Sequence, residues 1–93
     1  MKKTKVVHCN KEFYDIYIGR PSKWGNPFIE GKDGTRKEVI QKYRKYILSN
    51  QELFNSLDEL DGKILGCWCK PKSCHGDVLI ELIEKKRKGI LIV

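Results

Sequence analysis

A buried strand, a cysteine-rich turn and an amphipathic helix follow one another between residues 63 and 87. KILGCW predicts the strand, and the apolar periodicity of the residues after it predicts a helix from Ser73 to Arg87. ILIV at 90–93 predicts a further strand. The order strand, helix, strand is typical of a right-handed crossover within one sheet, and it therefore predicts an α/β fold.

The rest of the chain supplies further elements of both kinds. TKVVHC and EFYDIYIG predict two strands with a turn between them. Thr35 and Glu38 have the spacing of a capping box before a long helix, and Ser49 and Glu52 repeat it before a short one. The resulting order, β-β-α-α-β-α-β, predicts a single small α/β domain over residues 1–93, with helices packed on a short sheet.

Length and composition restrict the classes of protein that remain. The chain has 93 residues, 40% hydrophobic and 33% charged, which suits one modest core and excludes a disordered protein. No apolar run follows the amino-terminal lysines, so we expect no signal peptide, membrane span or membrane partner, and a cytoplasmic location. The four cysteines would be reduced there. The net charge of +7 favours a polyanionic partner, although a soluble surface explains it equally well.

The loop GRPSKWGNPF at 19–28 combines cationic, hydroxyl, amide and aromatic side chains with two glycines. Such a loop can bind a phosphate, and Trp24 could stack on a base or a sugar. The alternative is an ordinary loop whose aromatic side chains fill the core. The candidate ligand-binding residues are Gly19, Arg20, Ser22, Lys23, Trp24, Gly25 and Asn26.

The stretch GCWCKPKSCHGDV at 66–78 allows three interpretations. A Cys₃His zinc site would use Cys67, Cys69, Cys74 and His75. Alternatively, the N–H groups and dipole at the helix start would bind an anion and lower the pKa of a thiol. The catalytic candidates would then be Cys74 as a nucleophile, His75 as an acid, base or phosphate donor, and Asp77 as a base. In the third interpretation these residues are inert core and helix-start positions.

Both unusual segments follow predicted strands, so each lies where α/β folds bind ligands, at the carboxyl edge of the sheet. If those strands are parallel neighbours, the two segments line one crevice. A separate basic face on the long helix carries Lys37, Arg44 and Lys45. This face is either a nucleic-acid contact or a solvated surface.

The motifs YIGRPSKWGNPF, KYRKYI and LDGKILGCWCKPKSCHGDVLIEL resemble the signature of an uncharacterised family, a domain of unknown function found in phage and bacterial genomes. The resemblance covers roughly residues 16–82 and implies a viral or mobile-element protein. It implies no known activity. It does imply that two hallmark motifs form one site, made of Gly19, Arg20, Pro21, Trp24, Gly25, Asn26 and Pro27 with Cys67, Trp68, Cys69, Cys74, His75, Gly76 and Asp77.

The sequence therefore predicts a domain that binds a phosphorylated ligand, a nucleotide or nucleic acid before others, in a crevice between the 19–28 and 67–77 segments. Three alternatives stay open: a zinc-stabilised nucleic-acid-binding module, a small nucleotide-processing enzyme, and a viral interaction protein without a small ligand. The cofactor stays unknown from the sequence, and zinc is possible.

Overall fold

The fold is built on a short parallel sheet. The computed structural model of the protein describes residues 3–69, 72 and 74–89, and within them the strands are β1 (Lys5–His8), β2 (Ile16–Tyr17) and β3 (Ile64–Cys67). They lie in the order β1-β3-β2, and both outer strands run parallel to β3. The parallel arrangement of β2 and β3, on which the shared crevice depends, is confirmed.

Three helices accompany this sheet in the described part of the chain, and the third of them packs against β1. They are α1 (Arg36–Ser49), α2 (Gln51–Ser56), which continues as a 3₁₀ turn at Leu57–Leu60, and α3 (His75–Arg87). The predicted capping box begins α1, because the Thr35 hydroxyl accepts from the Glu38 N–H and the Glu38 carboxylate accepts from the Thr35 N–H. None of the helices in the described part of the chain is long and apolar enough to cross a membrane.

One hydrophobic cluster joins the sheet to all three helices. On α1 the buried positions are four residues apart, which puts them on one helix face. The largest side chains with almost no exposed surface are Ile18, Trp24, Tyr43, Ile47, Leu57, Leu60, Leu65, Leu79 and Leu82. The predicted α/β class is thus confirmed, with its core between the sheet and the helices.

The second strand is shorter than EFYDIYIG predicts. It pairs only with Leu65 and Gly66 of the four-residue β3, and among the described residues no strand pairs with the backbone of residues 12–14. After Ile18 the chain turns, with the Ser22 N–H donating to the Gly19 carbonyl oxygen. The neighbouring central strand, rather than the apolar alternation, sets the length of β2.

Two helix starts also differ from the prediction. Asn50 caps α2 through its side-chain oxygen, which accepts from the Leu53 N–H, whereas the Ser49 hydroxyl donates to the Tyr46 carbonyl oxygen. The third helix begins at His75 instead of residue 73, because Cys74 is its N-cap. The predicted strand at 90–93 lies outside the described residues.

Candidate functional site

The segments after β2 and β3 line one crevice of about 310 Å³ at the carboxyl edge of the sheet. The first segment contributes Gly19, Arg20, Asn26 and Phe28, and the second contributes Trp68, Cys69, Cys74 and His75. The first half of α1 adds a third wall. The two segments meet because parallel neighbouring strands end at the same edge. The volume is at the lower end of the range for small-molecule sites.

Tyr17 connects the two segments through its phenol oxygen. Its hydroxyl donates to the Arg20 carbonyl oxygen over 3.0 Å and accepts from the indole Nε1 of Trp68 over 2.9 Å. A glycine is needed beside this ring, because a Cβ at Gly19 would collide with the Tyr17 hydroxyl. The backbone that carries Arg20 and the indole ring are therefore held in a fixed relation.

Two arginines and one glutamate bring charge to the crevice. Arg20 is exposed at its edge. Arg36, at the start of α1, lies 3.2 Å from a Glu30 carboxylate oxygen in a partly exposed salt bridge. One carboxylate against two guanidinium groups leaves the lining with net positive charge, which favours an anionic ligand.

His75 forms part of the crevice wall and is buried between the sheet and α1. Its Nε2 lies 2.7 Å from the Ile18 carbonyl oxygen and must donate to it, so Nδ1 is the acceptor of the neutral ring. The ring also packs edge-on against Tyr43, with centroids 4.9 Å apart. Burial lowers the pKa of His75, and the positive charge of Arg20 acts in the same direction. The lowered pKa favours the neutral ring, which carries no positive charge for the predicted phosphate contact and can accept a proton only at Nδ1.

Cys74 is a buried N-cap, in contrast to the predicted reactive thiol. Its Sγ accepts from the Gly76 N–H over 3.2 Å and lies 3.1 Å from the Sγ of Cys67. The hydrogen bond with Cys67 and burial raise the pKa of the Cys74 thiol. The prediction of a lowered pKa was wrong, because it considered the helix dipole and not the second thiol or the burial.

Asp77 completes the cap of α3. Its carboxylate accepts from the Cys74 N–H over 3.1 Å, and its own N–H donates to the Cys74 carbonyl oxygen. The side chains of Cys74 and Asp77 thus accept hydrogen bonds from N–H groups at the start of α3 that were predicted to bind an anion. An anion in this crevice has to be bound mainly by side chains, and the catalytic role of Asp77 stays a prediction.

The four predicted zinc ligands do not converge. Cys67 and Cys74 are in contact, but the Nε2 of His75 is committed to a carbonyl oxygen, and Cys69 lies in the crevice wall. Across residues 3–69, 72 and 74–89, no three His, Cys, Asp or Glu side chains are grouped so that they could hold a metal ion. The geometry of the described residues thus gives the zinc interpretation no support.

Several residues of the 19–28 loop that were predicted to bind the ligand do not line the crevice. Trp24 is 2% exposed and belongs to the core, so the proposed stacking by this residue was wrong. The Lys23 ammonium lies 2.7 Å from a Glu59 carboxylate oxygen and above the Trp24 ring. Ser22 and Gly25 form the turns of the loop and do not line the crevice. Asn26 does line it, but its side chain bridges the Phe28 N–H and the Val39 carbonyl oxygen.

The predicted basic face of α1 is partly neutralised. A guanidinium nitrogen of Arg44 lies 3.1 Å from a Glu81 carboxylate oxygen, and this contact lowers the pKa of Glu81. Lys37 lines a groove between α1 and α3 together with Asp77 and Glu81. Lys45 is exposed. A continuous cationic stripe on this helix, as predicted for nucleic-acid contact, is therefore weakened by neighbouring carboxylates.

Comparison with known proteins gives the chain a family. Residues 1–85 match the model of the family described as "Domain of unknown function (DUF4326)". The chain belongs to this family. The predicted resemblance to an uncharacterised domain family is confirmed at that level.

Two relatives of this DUF4326 chain come from viruses. "Uncharacterized protein R718" of Acanthamoeba polyphaga mimivirus is 42% identical over 88 residues, covering 75% of this chain and 67% of the relative. "Uncharacterized 12.4 kDa protein in nrdA-td intergenic region" of Enterobacteria phage T4 is 37% identical over 86 residues, covering 87% of this chain and 78% of the relative. No solved structure matches the chain.

Several residues of the crevice in this DUF4326 chain were not predicted as ligand-binding groups. The missed residues are Tyr17, Phe28, Glu30, Arg36, Val39 and Ile40, whereas Trp68 was placed in the site by the family resemblance alone. Strand alternation carried a signal for Trp68, since a buried Cys67 turns the next side chain outward. No comparable signal existed for Arg36, whose place in the crevice depends on how α1 packs beside the sheet.

Proposed function

We propose that the crevice binds a phosphorylated ligand, a nucleotide or nucleic acid, through the guanidinium groups of Arg20 and Arg36. One observation carries the proposal: loops from two neighbouring strands and the start of α1 bring two arginines and an exposed indole into one crevice of small-molecule size. Arginine forms paired, charge-assisted hydrogen bonds to phosphate oxygens, and Arg20 is exposed at the crevice edge.

Arg36 would contribute in a different way from Arg20. Its salt bridge with Glu30 holds the guanidinium at the crevice wall, and an incoming phosphate would compete with the carboxylate for the same N–H donors. Arg20 has no such neighbouring carboxylate among the salt bridges of the described residues. Arg20 is therefore the better residue to test.

Substitution of Arg20 by alanine is expected to weaken nucleotide binding about 10- to 100-fold, since a hydrogen bond to a charged group contributes about 1.5–3 kcal/mol. Isothermal titration calorimetry with adenosine 5′-monophosphate measures the change. Arg20→Lys should recover part of the affinity, because it restores the charge without the planar donor pair.

Lys45→Ala is the matched control. It removes one positive charge from an exposed position of α1 that does not line the crevice. If Arg20→Ala and Lys45→Ala weaken binding equally, the affinity comes from the overall charge of the protein and the proposed site is wrong. Unchanged thermal melting of both variants shows that the fold is retained.

A small nucleotide-processing enzyme is the second candidate, favoured by the neutral His75 at the crevice wall. Its Nε2 is fixed by the Ile18 carbonyl oxygen, which leaves Nδ1 as the group able to accept a proton. Chromatography of the nucleotide after the same titrations separates binding from turnover. Nucleotide recovered unchanged after prolonged incubation argues against this second candidate.

A further inference from the structure

Trp68 is a large aromatic side chain exposed at the crevice. Trp68 is the residue directly after β3, and 59% of its surface is accessible to solvent. Among the described residues, the other exposed large apolar side chains are Phe13 and Ile29, and neither lines the crevice. The exposed indole is thus located where Arg20 and Arg36 also lie.

The indole is fixed before any ligand arrives. Its Nε1 donates to the Tyr17 hydroxyl over 2.9 Å, and the His8 ring packs against it nearly at right angles, with centroids 5.6 Å apart. The polar atom of the side chain is therefore already satisfied within the protein, and the exposed surface is carbon. A side chain held in this way has little rotational freedom left to lose on binding.

We propose that Trp68 is a stacking platform for a nucleobase, and that the phosphate of the same nucleotide is bound at Arg20. This inference rests on the proposed function and specifies its ligand. Bases stack on exposed aromatic side chains with little sequence preference, because every base has a π-face. The Tyr17 hydroxyl joins the indole to the backbone carbonyl of Arg20, so the stacking surface lies at a fixed position relative to the backbone that carries the anion-binding group.

The expected ligand is then a nucleotide whose base has one face that is not stacked on another base. A free nucleotide and a nucleotide within a single strand both offer this, whereas the bases of a duplex are already stacked on each other. A sugar phosphate or inorganic phosphate offers only the anion. These classes can be separated by titration with simple compounds.

The experiment compares four ligands, adenosine 5′-monophosphate, adenosine, ribose 5-phosphate and a short single-stranded oligodeoxyadenylate, by calorimetry. We expect the wild-type protein to bind the nucleotide more tightly than ribose 5-phosphate. We expect Trp68→Ala to weaken nucleotide binding about 5- to 100-fold and to leave ribose 5-phosphate binding unchanged. Tighter binding of the oligonucleotide than of the nucleotide identifies the single strand as the source, and the reverse identifies the free nucleotide.

Two further variants separate stacking from a structural role. Trp68→Phe keeps an aromatic face but loses the donor to Tyr17, so it should retain more nucleotide affinity than Trp68→Ala. Phe13→Ala removes another exposed aromatic ring, which is 76% exposed and outside the crevice, and should change nothing.

Failure of the stacking inference and failure of the proposed function give different results. Equal wild-type affinity for nucleotide and ribose 5-phosphate overturns the stacking platform and leaves the anion site standing. An equal loss of both ligands in Trp68→Ala also overturns it, because the indole would then only shape the crevice. If none of the phosphorylated compounds binds to the wild type, the proposed function itself is wrong.

Discussion

Replacing Tyr43 by alanine is expected to lower the free energy of unfolding by about 3–5 kcal/mol, as for other large buried aromatic side chains. Tyr43 has no exposed surface and lies at the centre of α1, in contact with the His75 ring. Its hydroxyl donates to the Trp24 carbonyl oxygen over 2.6 Å. This substitution therefore removes core volume, the hydrogen bond to the 19–28 loop at Trp24 and the ring contact with His75 at the start of α3. Urea denaturation followed by circular dichroism measures the loss.

Tyr43→Phe is the control for the hydroxyl alone. It keeps the ring and leaves the Trp24 carbonyl oxygen without its Tyr43 donor, so a loss of about 1–2 kcal/mol is expected. A loss for Tyr43→Ala no greater than that for Tyr43→Phe would contradict the description of Tyr43 as a core residue that supports the crevice.

Gly76→Val is expected to lower the free energy of unfolding by about 2–3 kcal/mol. Gly76 lies in the first turn of α3, where a Cβ would lie 2.7 Å from Cγ2 of Val6 and 3.0 Å from Cδ1 of Ile18. The stiff Val6 side chain cannot turn away without disturbing β1. The start of α3, which carries His75, would have to move away from the sheet, so nucleotide binding should weaken as well.

A compensating substitution tests the cause of this loss. Val6→Ala removes two of the three methyl groups that would meet the new side chain, and the double variant should recover part of the stability that Gly76→Val loses. If the two losses simply add, the steric explanation is wrong and the penalty has its origin in the backbone at the start of the helix.

The fold was largely predictable because its signals are local. The capping box at Thr35 and the apolar stripe of α1 depend on residues three or four positions apart, and both are present as predicted. The length of β2 was not predictable, because pairing with the short β3 determines it. The start of α3 was missed by two residues, because the sequence gives no reason to prefer a cysteine as N-cap over the usual serine.

The site was predictable as a location but only partly as a set of residues. Two unusual segments after strands indicated the crevice, and parallel neighbouring strands do bring them together. The chemical roles of the side chains were harder to predict, because they depend on burial. Trp24 and Trp68 are the same residue type, yet the first is in the core and the second is exposed. Contact between Cys67 and Cys74 reverses the direction of the pKa shift that a helix start alone would produce.

Two-dimensional ¹H–¹⁵N NMR spectra during titration with adenosine 5′-monophosphate test most directly the central claim that the crevice binds a phosphorylated ligand. We predict shifts for the backbone N–H groups of Arg20, Cys69 and His75 and for the indole N–H of Trp68, while the indole N–H of the buried Trp24 shifts much less. Shifts confined to the outer face of α1 around Lys45, or no shifts at saturating nucleotide, would contradict the claim.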